Sequence, residues 1–179
     1  MTRTLQPAPE PPFVPLRIAV LTISDTRDER SDTSGQALID RLQAAGHALA
    51  ERVIVRDDIY QMRAIVSRWI ADDDVQAIVT TGGTGLTGRD NTVRALKPLL
   101  DKEIDGFGEL FRMISYEEIG TSTLQSRAFA GIARNTFIFC LPGSTGACRT
   151  AWDKIIRFQL DHRTAPCNLV EMLPRLQEA

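Results

Sequence analysis

The sequence predicts an α/β fold, a three-layer α/β/α sandwich in which helices cover both faces of a mostly parallel sheet. Runs of apolar and β-branched residues alternate along the chain with segments of helical periodicity. The apolar runs are continuous, which is typical of parallel strands that are buried on both faces. The 179 residues contain no internal repeat and no second domain boundary, so we expect one domain.

Each predicted element follows from its own stretch of sequence. The strands are the apolar runs Arg17–Ile23, 47–55, 75–81 and Thr136–Leu141. Apolar residues recur at helical spacing within 38–45, 59–70, 93–100, 107–114 and 151–160. The stretch 119–134 is rich in small residues, and we predict that it is helical. Five of the nine prolines fall within residues 1–15, which predicts a flexible arm before a domain spanning 16–179.

Composition excludes several classes of protein. A net charge of −2 implies no strongly basic face for nucleic acid. No apolar run approaches the ~20 residues that a membrane-spanning helix needs. The three cysteines form no C-x-x-C pair, so neither a zinc framework nor a set of disulfides is predicted. These features favour a cytoplasmic protein in a reducing environment.

A glycine-rich segment, TTGGTGLTGRDNT at 80–92, follows the third predicted strand. It contains a formal G-x-G-x-x-G match at Gly83, Gly85 and Gly88, which raises the alternative of a dinucleotide-binding protein. That fingerprint normally follows the first strand, with its third glycine inside the helix. Here the helix is predicted to begin only near Thr92, and no Gly-Lys-Ser/Thr follows as in a Walker A motif. The segment therefore predicts a backbone cradle for another anion.

Polar residues follow all four apolar strands at the point where each strand ends. They are the pairs Ser24-Asp25 and Asp57-Asp58, the glycine-rich loop 80–90 and the second glycine turn 142–146. In an open α/β sheet, ligands bind at the carboxyl ends of the strands. We therefore expect these four segments to meet at one site.

Two pairs of acidic or amide residues have alternative roles. An acid at Asp90 repels a bound phosphate unless a bridging Mg²⁺, Arg89 or a proton-transfer role offsets the charge. Alternatively, Asp90 or Asn91 caps the next helix, although Thr92 can also serve as that cap. Asp57 and Asp58 pose the same choice before the helix at 59–70, and one can cap while the other faces the site.

Four segments together resemble the MoaB/MogA family of molybdenum-cofactor biosynthesis proteins. They are ISDTR (23–27), TTGGTGLTGRD (80–90), GFGELFRMISYEEIGTSTLQSRAFAG (106–131) and LPGSTGACRTAWD (141–153). The resemblance covers about residues 14–172, and the segment 106–131 points to the MoaB branch.

The resemblance implies the three-layer fold, molybdopterin binding and a cytosolic homotrimer or homohexamer. For MogA-like members it implies Mg²⁺- and ATP-dependent adenylylation of molybdopterin with release of pyrophosphate. By position, Asp90 and Asp57 match the family's catalytic acids and would hold Mg²⁺. The matching substrate-binding residues are Ser24, Asp25, Thr81, Gly82, Gly83, Thr84, Gly85, Pro142, Gly143 and Ser144.

Two departures keep a second hypothesis open. Arg56 precedes Asp57 where adenylylating members often carry proline, and the second turn is Pro-Gly-Ser-Thr where they carry Pro-Gly-Gln-Pro or similar. Both departures fit the MoaB branch. The alternative to an adenylyltransferase is a non-catalytic protein that binds the pterin or scaffolds other cofactor-assembly proteins.

Overall fold

The computed structural model describes residues 11–176, which form one six-stranded sheet with helices on both faces. The strands are β1 (Arg17–Ile23), β2 (Ala48–Val55), β3 (Ala77–Thr81), β4 (Lys102–Glu103), β5 (Phe129–Ala133) and β6 (Thr136–Leu141). The helices are α1 (Thr33–Ala44), α2 (Ile59–Ala71), α3 (Thr92–Leu96), α4 (Asp105–Ile119) and α5 (Thr145–Ala151). A π-helical turn, Trp152–Ile156, and a last turn, Arg157–Gln159, continue α5; shorter 3₁₀ turns lie at Lys97–Leu99, Gly120–Gln125 and Val170–Arg175.

The strand order in the sheet is β2-β1-β3-β6-β5-β4. β1, β2, β3 and β6 are parallel to their neighbours in this set, whereas β5 is antiparallel to both β6 and β4. The predicted α/β fold with a mostly parallel sheet is confirmed. Parallel pairing also brings the carboxyl ends of the four predicted strands to one edge of the sheet, as expected for a ligand site.

The sheet separates two apolar cores, because successive side chains of a strand point to opposite faces. On one face Leu38 of α1, Phe111 of α4 and Trp152 pack together. On the other face Met62 and Trp69 of α2 pack on the strands. These are the three predicted layers.

The helical prediction for 119–134 is wrong over its second half. The chain leaves α4 at Ile119, makes the 3₁₀ turn Gly120–Gln125 and then enters β5. Five consecutive buried residues of β5 pair with β6, and Gly131 lies where an added Cβ would come 2.6 Å from the carbonyl oxygen of Lys102. Pairing with distant strands overrides the local preference of the small residues, because β-propensity mostly reflects packing context.

The predicted arm is described only from residue 11 onward. The Phe13 ring packs against His47, with 5.0 Å between ring centroids. Residues 1–10, and with them most of the predicted arm, lie outside the described residues. Between residues 11 and 176, none of the helices is both long and apolar enough to cross a membrane.

Candidate active site

A cavity of about 730 Å³ opens at the carboxyl edge of the sheet, between the strand ends and helix α4. Its walls come from the ends of β1, β3 and β6, from α4 with the turn that follows it, and from α5. Of the predicted substrate-binding residues, those that line it are Ser24, Gly82, Gly83, Thr84, Gly85, Pro142, Gly143 and Ser144. Asp90 also lines the cavity, whereas Asp25, Asp57 and Thr81 do not. The topology thus brings three of the four predicted segments onto one surface.

The glycine-rich loop adopts a backbone that other residues tolerate poorly. Gly82 has a φ of +109° and Gly83 a φ of +66°, both in the left-handed region. A Cβ on Gly82 would clash with the carbonyl oxygen of Ile23, while its N–H donates to Leu141 O at 3.0 Å. The loop is therefore wedged between the ends of β1 and β6. Its lack of side chains also lets a ligand in the cavity approach the backbone.

Asp90 is held in place by donors from its own loop. Its Oδ2 accepts hydrogen bonds from the Thr87 N–H at 2.8 Å and the Thr87 hydroxyl at 2.7 Å. Burial raises the pKa of Asp90, but these hydrogen bonds and the charge of Arg127 outweigh that effect, so its pKa lies below the usual value. Asp90 is thus an ionised carboxylate on the cavity wall at neutral pH.

Arg127 holds the glycine-rich loop through two hydrogen bonds. Its backbone N–H donates to Thr84 O at 3.1 Å, and its Nη2 donates to Asp90 O at 2.8 Å. These two contacts tie the glycine segment, at Thr84 and Asp90, to the chain just before β5. Sequence reasoning missed this role because the partners lie 37 residues or more away along the chain.

The two consecutive acids after β2 have different roles. Asp58 caps α2, since its side chain accepts from the N–H groups of Tyr60 and Gln61 at 2.9 Å. Asp57 is buried beneath the loop, where it accepts from the side-chain amide of Asn91 at 2.8 Å and from the Asn91 backbone N–H. Asp58 is therefore the cap, as the sequence allowed, whereas Asp57 does not face the cavity and lies behind the loop.

The N-cap of α3 is Asn91, one of the three residues that the sequence allowed at this position. Asn91 occupies the N-cap position without a side-chain capping bond, and Thr92 is the first helical residue. The Thr92 hydroxyl instead donates to Gly82 O at 2.7 Å. It therefore stabilises the strained glycine rather than the helix.

The remaining predicted residues mainly shape the loops. Asp25 pairs with Arg89 at 2.9 Å, and that contact lowers the pKa of Asp25. Thr81 is fully buried and donates to Pro142 O at 2.9 Å, which joins the two glycine turns. Ser144 caps α5 by accepting from the Ala147 N–H at 3.2 Å.

Sequence reasoning missed several residues of the cavity wall. The missed residues with polar or charged side chains include Arg27, Ser115, Glu118, Gln125, Ser126 and Thr150. Arg27 was within a quoted motif, and its place two residues after the Ser24-Asp25 pair was the available signal. Glu118 and Thr150 lie on separate helices, so only packing could bring them together.

Comparison with known proteins places the chain in a family. Residues 19–162 match the family described as "Probable molybdopterin binding domain". The chain belongs to this family. The match spans β1 through the last turn after α5 and therefore contains every wall of the cavity.

Individual proteins are also similar to this chain in sequence and in structure. "Molybdenum cofactor biosynthesis protein B" of Escherichia coli K12 is 60% identical over 156 residues, which cover 87% of this chain and 92% of that protein. A crystal structure of a protein with the same name superposes with a TM-score of 0.83 at 42% identity, covering 93% of this chain and 98% of the other. The tungsten cofactor synthesizing protein MoaB from Pyrococcus furiosus gives 0.78 at 36% identity, with 92% and 98% covered. The resemblance to the MoaB branch is thereby confirmed.

Proposed function

We propose that the chain binds molybdopterin in the cavity and adenylylates it with Mg–ATP, releasing pyrophosphate. The observation that carries the proposal is the placement of an ionised acid, Asp90, beside the glycine-rich loop on one cavity wall. Membership in the molybdopterin-binding domain family supports the choice of pterin. We also retain the cytoplasmic location and the homotrimer or homohexamer as parts of this proposal.

The loop suits a ligand that carries phosphate. Gly82, Gly83 and Gly85 expose backbone rather than side chains to the cavity, so phosphate oxygens can come close to the main chain. A Cβ on Gly85 would lie 2.7 Å from Asp90 Oδ2, so the carboxylate occupies the space beside that glycine. Phosphate and carboxylate would then share one small region.

The reaction brings two anions together. An oxygen of the molybdopterin phosphate attacks the α-phosphorus of ATP, a new P–O bond forms, and the bond between the α-phosphorus and the bridging oxygen breaks so that pyrophosphate leaves. Holding both reactants in line converts a bimolecular step into a unimolecular one. In this scheme the loop backbone positions the phosphates and Asp90 holds its charge at a fixed place beside them.

Asp90 fits a Mg²⁺ ion that also binds substrate phosphates. Its Oδ2 is held by Thr87, and the carboxylate lines the cavity in its ionised form. Within 11–176 no three His, Cys, Asp or Glu side chains are grouped to hold a metal alone. Mg²⁺ commonly binds through one or two carboxylates together with phosphates and water. When bound it would offset the charge of the reacting phosphates.

Two contacts favour the second candidate, a protein that binds the pterin without turnover. Both carboxylate oxygens of Asp57 accept from Asn91, so Asp57 is engaged in holding the loop. The Ser144 hydroxyl is likewise engaged in capping α5. Under this hypothesis the site keeps one phosphate turn and loses affinity for ATP.

The deciding experiment incubates the protein with molybdopterin and Mg–ATP and measures adenylylated pterin and pyrophosphate by chromatography. We expect both products in equal amounts, and none when Mg²⁺ is chelated. A MogA-like adenylyltransferase serves as the positive control. Absence of product while that control is active would reject catalysis.

Calorimetry separates the two candidates further. Titration with Mg–ATP and with molybdopterin, each alone and then together, reports which sites exist. The adenylyltransferase predicts saturable binding of both ligands. The binding-only candidate predicts pterin binding that Mg–ATP does not change.

A further inference from the structure

We propose that the cavity binds its ligand in one orientation, with phosphate at Arg27 and the hydrogen-bond-donor edge of the pterin ring at Glu118. The inference rests on the proposed function, because it takes a phosphorylated pterin as the ligand. It assigns roles to two residues of the wall that the sequence did not single out.

Arg27 is the cation of the cavity. Among the described residues that line it, no other side chain is a lysine, arginine or histidine. Its Nη1 donates to Gly143 O at 3.1 Å and also contacts the Ser34 hydroxyl. No described residue accepts from its Nη2 or Nε, and the side chain is 31% exposed. Two donors in a rigid fork match the geometry of phosphate oxygens.

The contacts with Gly143 and Ser34 and a nearby buried acid together fix the direction of this guanidinium. Asp32, which is 1% exposed, lies 3.8 Å from Arg27 Nη1. Its carboxylate is itself held by the Thr22 hydroxyl at 2.7 Å, by the Gly35 N–H at 2.9 Å and by Arg52 Nη2 at 3.0 Å. Arg27 is therefore positioned before any ligand arrives, which lowers the entropic cost of binding.

Glu118 lies on the wall formed by α4. The Thr150 hydroxyl donates to its Oε2 at 2.8 Å, and no described residue donates to its Oε1. A pterin carries neighbouring N–H donors on its pyrimidine ring, the 2-amino group and N3. A carboxylate that is oriented by a neighbouring hydroxyl can accept from both.

Helix α5 separates the two charges. Arg27 contacts Gly143 just before the helix, whereas Glu118 contacts Thr150, about 8 Å along the axis from Thr145 at a rise of 1.5 Å per residue. A ligand bound the other way round would place its phosphate against the Glu118 carboxylate. Like charges repel, so that orientation is disfavoured.

The test uses full-length protein with one variant for each end, Arg27→Gln and Glu118→Gln, and three small probes. Pyrophosphate probes the phosphate end. Pterin and lumazine probe the other end, since lumazine carries an oxo group in place of the 2-amino group, with a hydrogen on N1, and so lacks the adjacent pair of donors formed by the 2-amino group and N3. The matched controls are Arg30→Gln and Glu117→Gln, which remove the same charges outside the cavity.

We expect a double dissociation in titrations followed by calorimetry and ligand-observed NMR. Arg27→Gln weakens pyrophosphate binding about tenfold and leaves the preference for pterin over lumazine intact. Glu118→Gln abolishes that preference and leaves pyrophosphate binding within about twofold. Both control variants behave as the wild type.

A second measurement tests the phosphate end in the wild-type protein. It therefore does not depend on whether the variants fold. In the wild-type protein, pyrophosphate should slow modification of Arg27 by phenylglyoxal, and modification of Arg30 should be unchanged by mass spectrometry. Unprotected Arg27, or unchanged pyrophosphate affinity in a folded Arg27→Gln variant, overturns the inference. Equal affinity of the wild-type protein for pterin and lumazine also overturns the inference. In that case the proposal that the cavity binds pterin would still be supported. If neither ring binds, the inference and the proposed pterin site fail together.

Discussion

Single residues carry the chemistry of the cavity through contacts that fix their charge and direction. Asp90 is kept ionised by two donors from Thr87, and Arg27 is directed by Asp32. Neither arrangement depends on a ligand, because each partner belongs to the same loop or to a buried neighbour. The residues that would meet a phosphate are thus preorganised.

Asp90→Asn tests the acid at this scale. Asparagine keeps the size of the side chain and an oxygen acceptor for Thr87 but removes the negative charge. We expect adenylyl transfer to fall about a hundredfold or more while molybdopterin affinity changes little. Rates and calorimetry on the same preparation report the two quantities.

The matched control is Asp74→Asn, in the exposed turn after α2. That variant should have wild-type rates. A small effect of Asp90→Asn on kcat would show that the charge at this position is not needed for turnover.

At the scale of elements, the loops between strand and helix are more constrained than the helices. Gly82 and Gly83 have positive φ, and the Thr92 hydroxyl and Leu141 carbonyl hold Gly82 in that conformation. Glycine is required here because other L-residues are strained in this region of backbone space. The sequence showed where the glycines lie, but not which of them are needed.

Gly82→Ala should destabilise the protein. Its Cβ would collide with the backbone of Ile23, which cannot move without disturbing β1, and positive φ adds strain. We expect a loss of about 2 kcal/mol or more, seen as a lower midpoint in urea unfolding.

Gly88→Ala is the control in the same loop. An added Cβ there meets nothing within 4 Å. The unfolding midpoint should stay close to that of the wild type. Equal effects of the two substitutions would mean that the loop relaxes freely.

His47, at the junction between α1 and β2, should make the stability of the protein depend on pH. His47 is buried, which lowers its pKa, an effect that nearby Asp161 only partly offsets. Its Nδ1 accepts from the Leu16 N–H at 3.1 Å, so the neutral ring is the form that fits. The neutral His47 ring therefore contributes its full stabilisation of the folded state above the unfolded-state pKa of 6.5. This stabilisation is lost as the pH falls through the lower folded-state pKa.

Urea unfolding between about pH 7 and about pH 5 measures this loss. His47→Asn keeps an acceptor for Leu16 but cannot titrate. We expect its free energy of unfolding to fall less over this range than that of the wild type. Parallel curves for the two proteins would assign the acid sensitivity to other groups.

At the scale of the whole molecule, the sheet separates two apolar cores and brings the residues of the candidate site together at one of its edges. The core around Leu38 and Trp152 supports α4 and α5, which carry Glu118 and Thr150. The core around Met62 and Trp69 supports α2 and α3, which flank the glycine loop. Each core thus positions a different wall.

Because the two cores lie on opposite faces, their contributions should be independent. Leu38→Ala and Met62→Ala each remove a fully buried side chain and should each cost about 3 kcal/mol. The double variant should equal the sum within about 0.5 kcal/mol by urea unfolding. A larger coupling energy would show that the sheet transmits strain between its faces.

Part of the site could be predicted because its signals are local. Asp58 before a helical pattern predicts a cap, and glycines after an apolar run predict a turn at a strand end. Arg27 and Glu118 were not singled out, since their partners Gly143 and Thr150 lie far away in sequence. The segment that becomes β5 was assigned to a helix for the same reason.

The sequence by itself determined the alternation of strands and helices, the α/β class and the glycine-rich segment TTGGTGLTGRDNT at a strand end. Apolar periodicity and backbone freedom are local properties, so they can be recognised without knowledge of the fold. Only the tertiary structure decided that Asp57 lies behind the loop, that β5 pairs antiparallel with β6, and that opposite charges line one cavity. Those outcomes depend on which distant segments come within a few ångströms, and packing of the whole chain decides that.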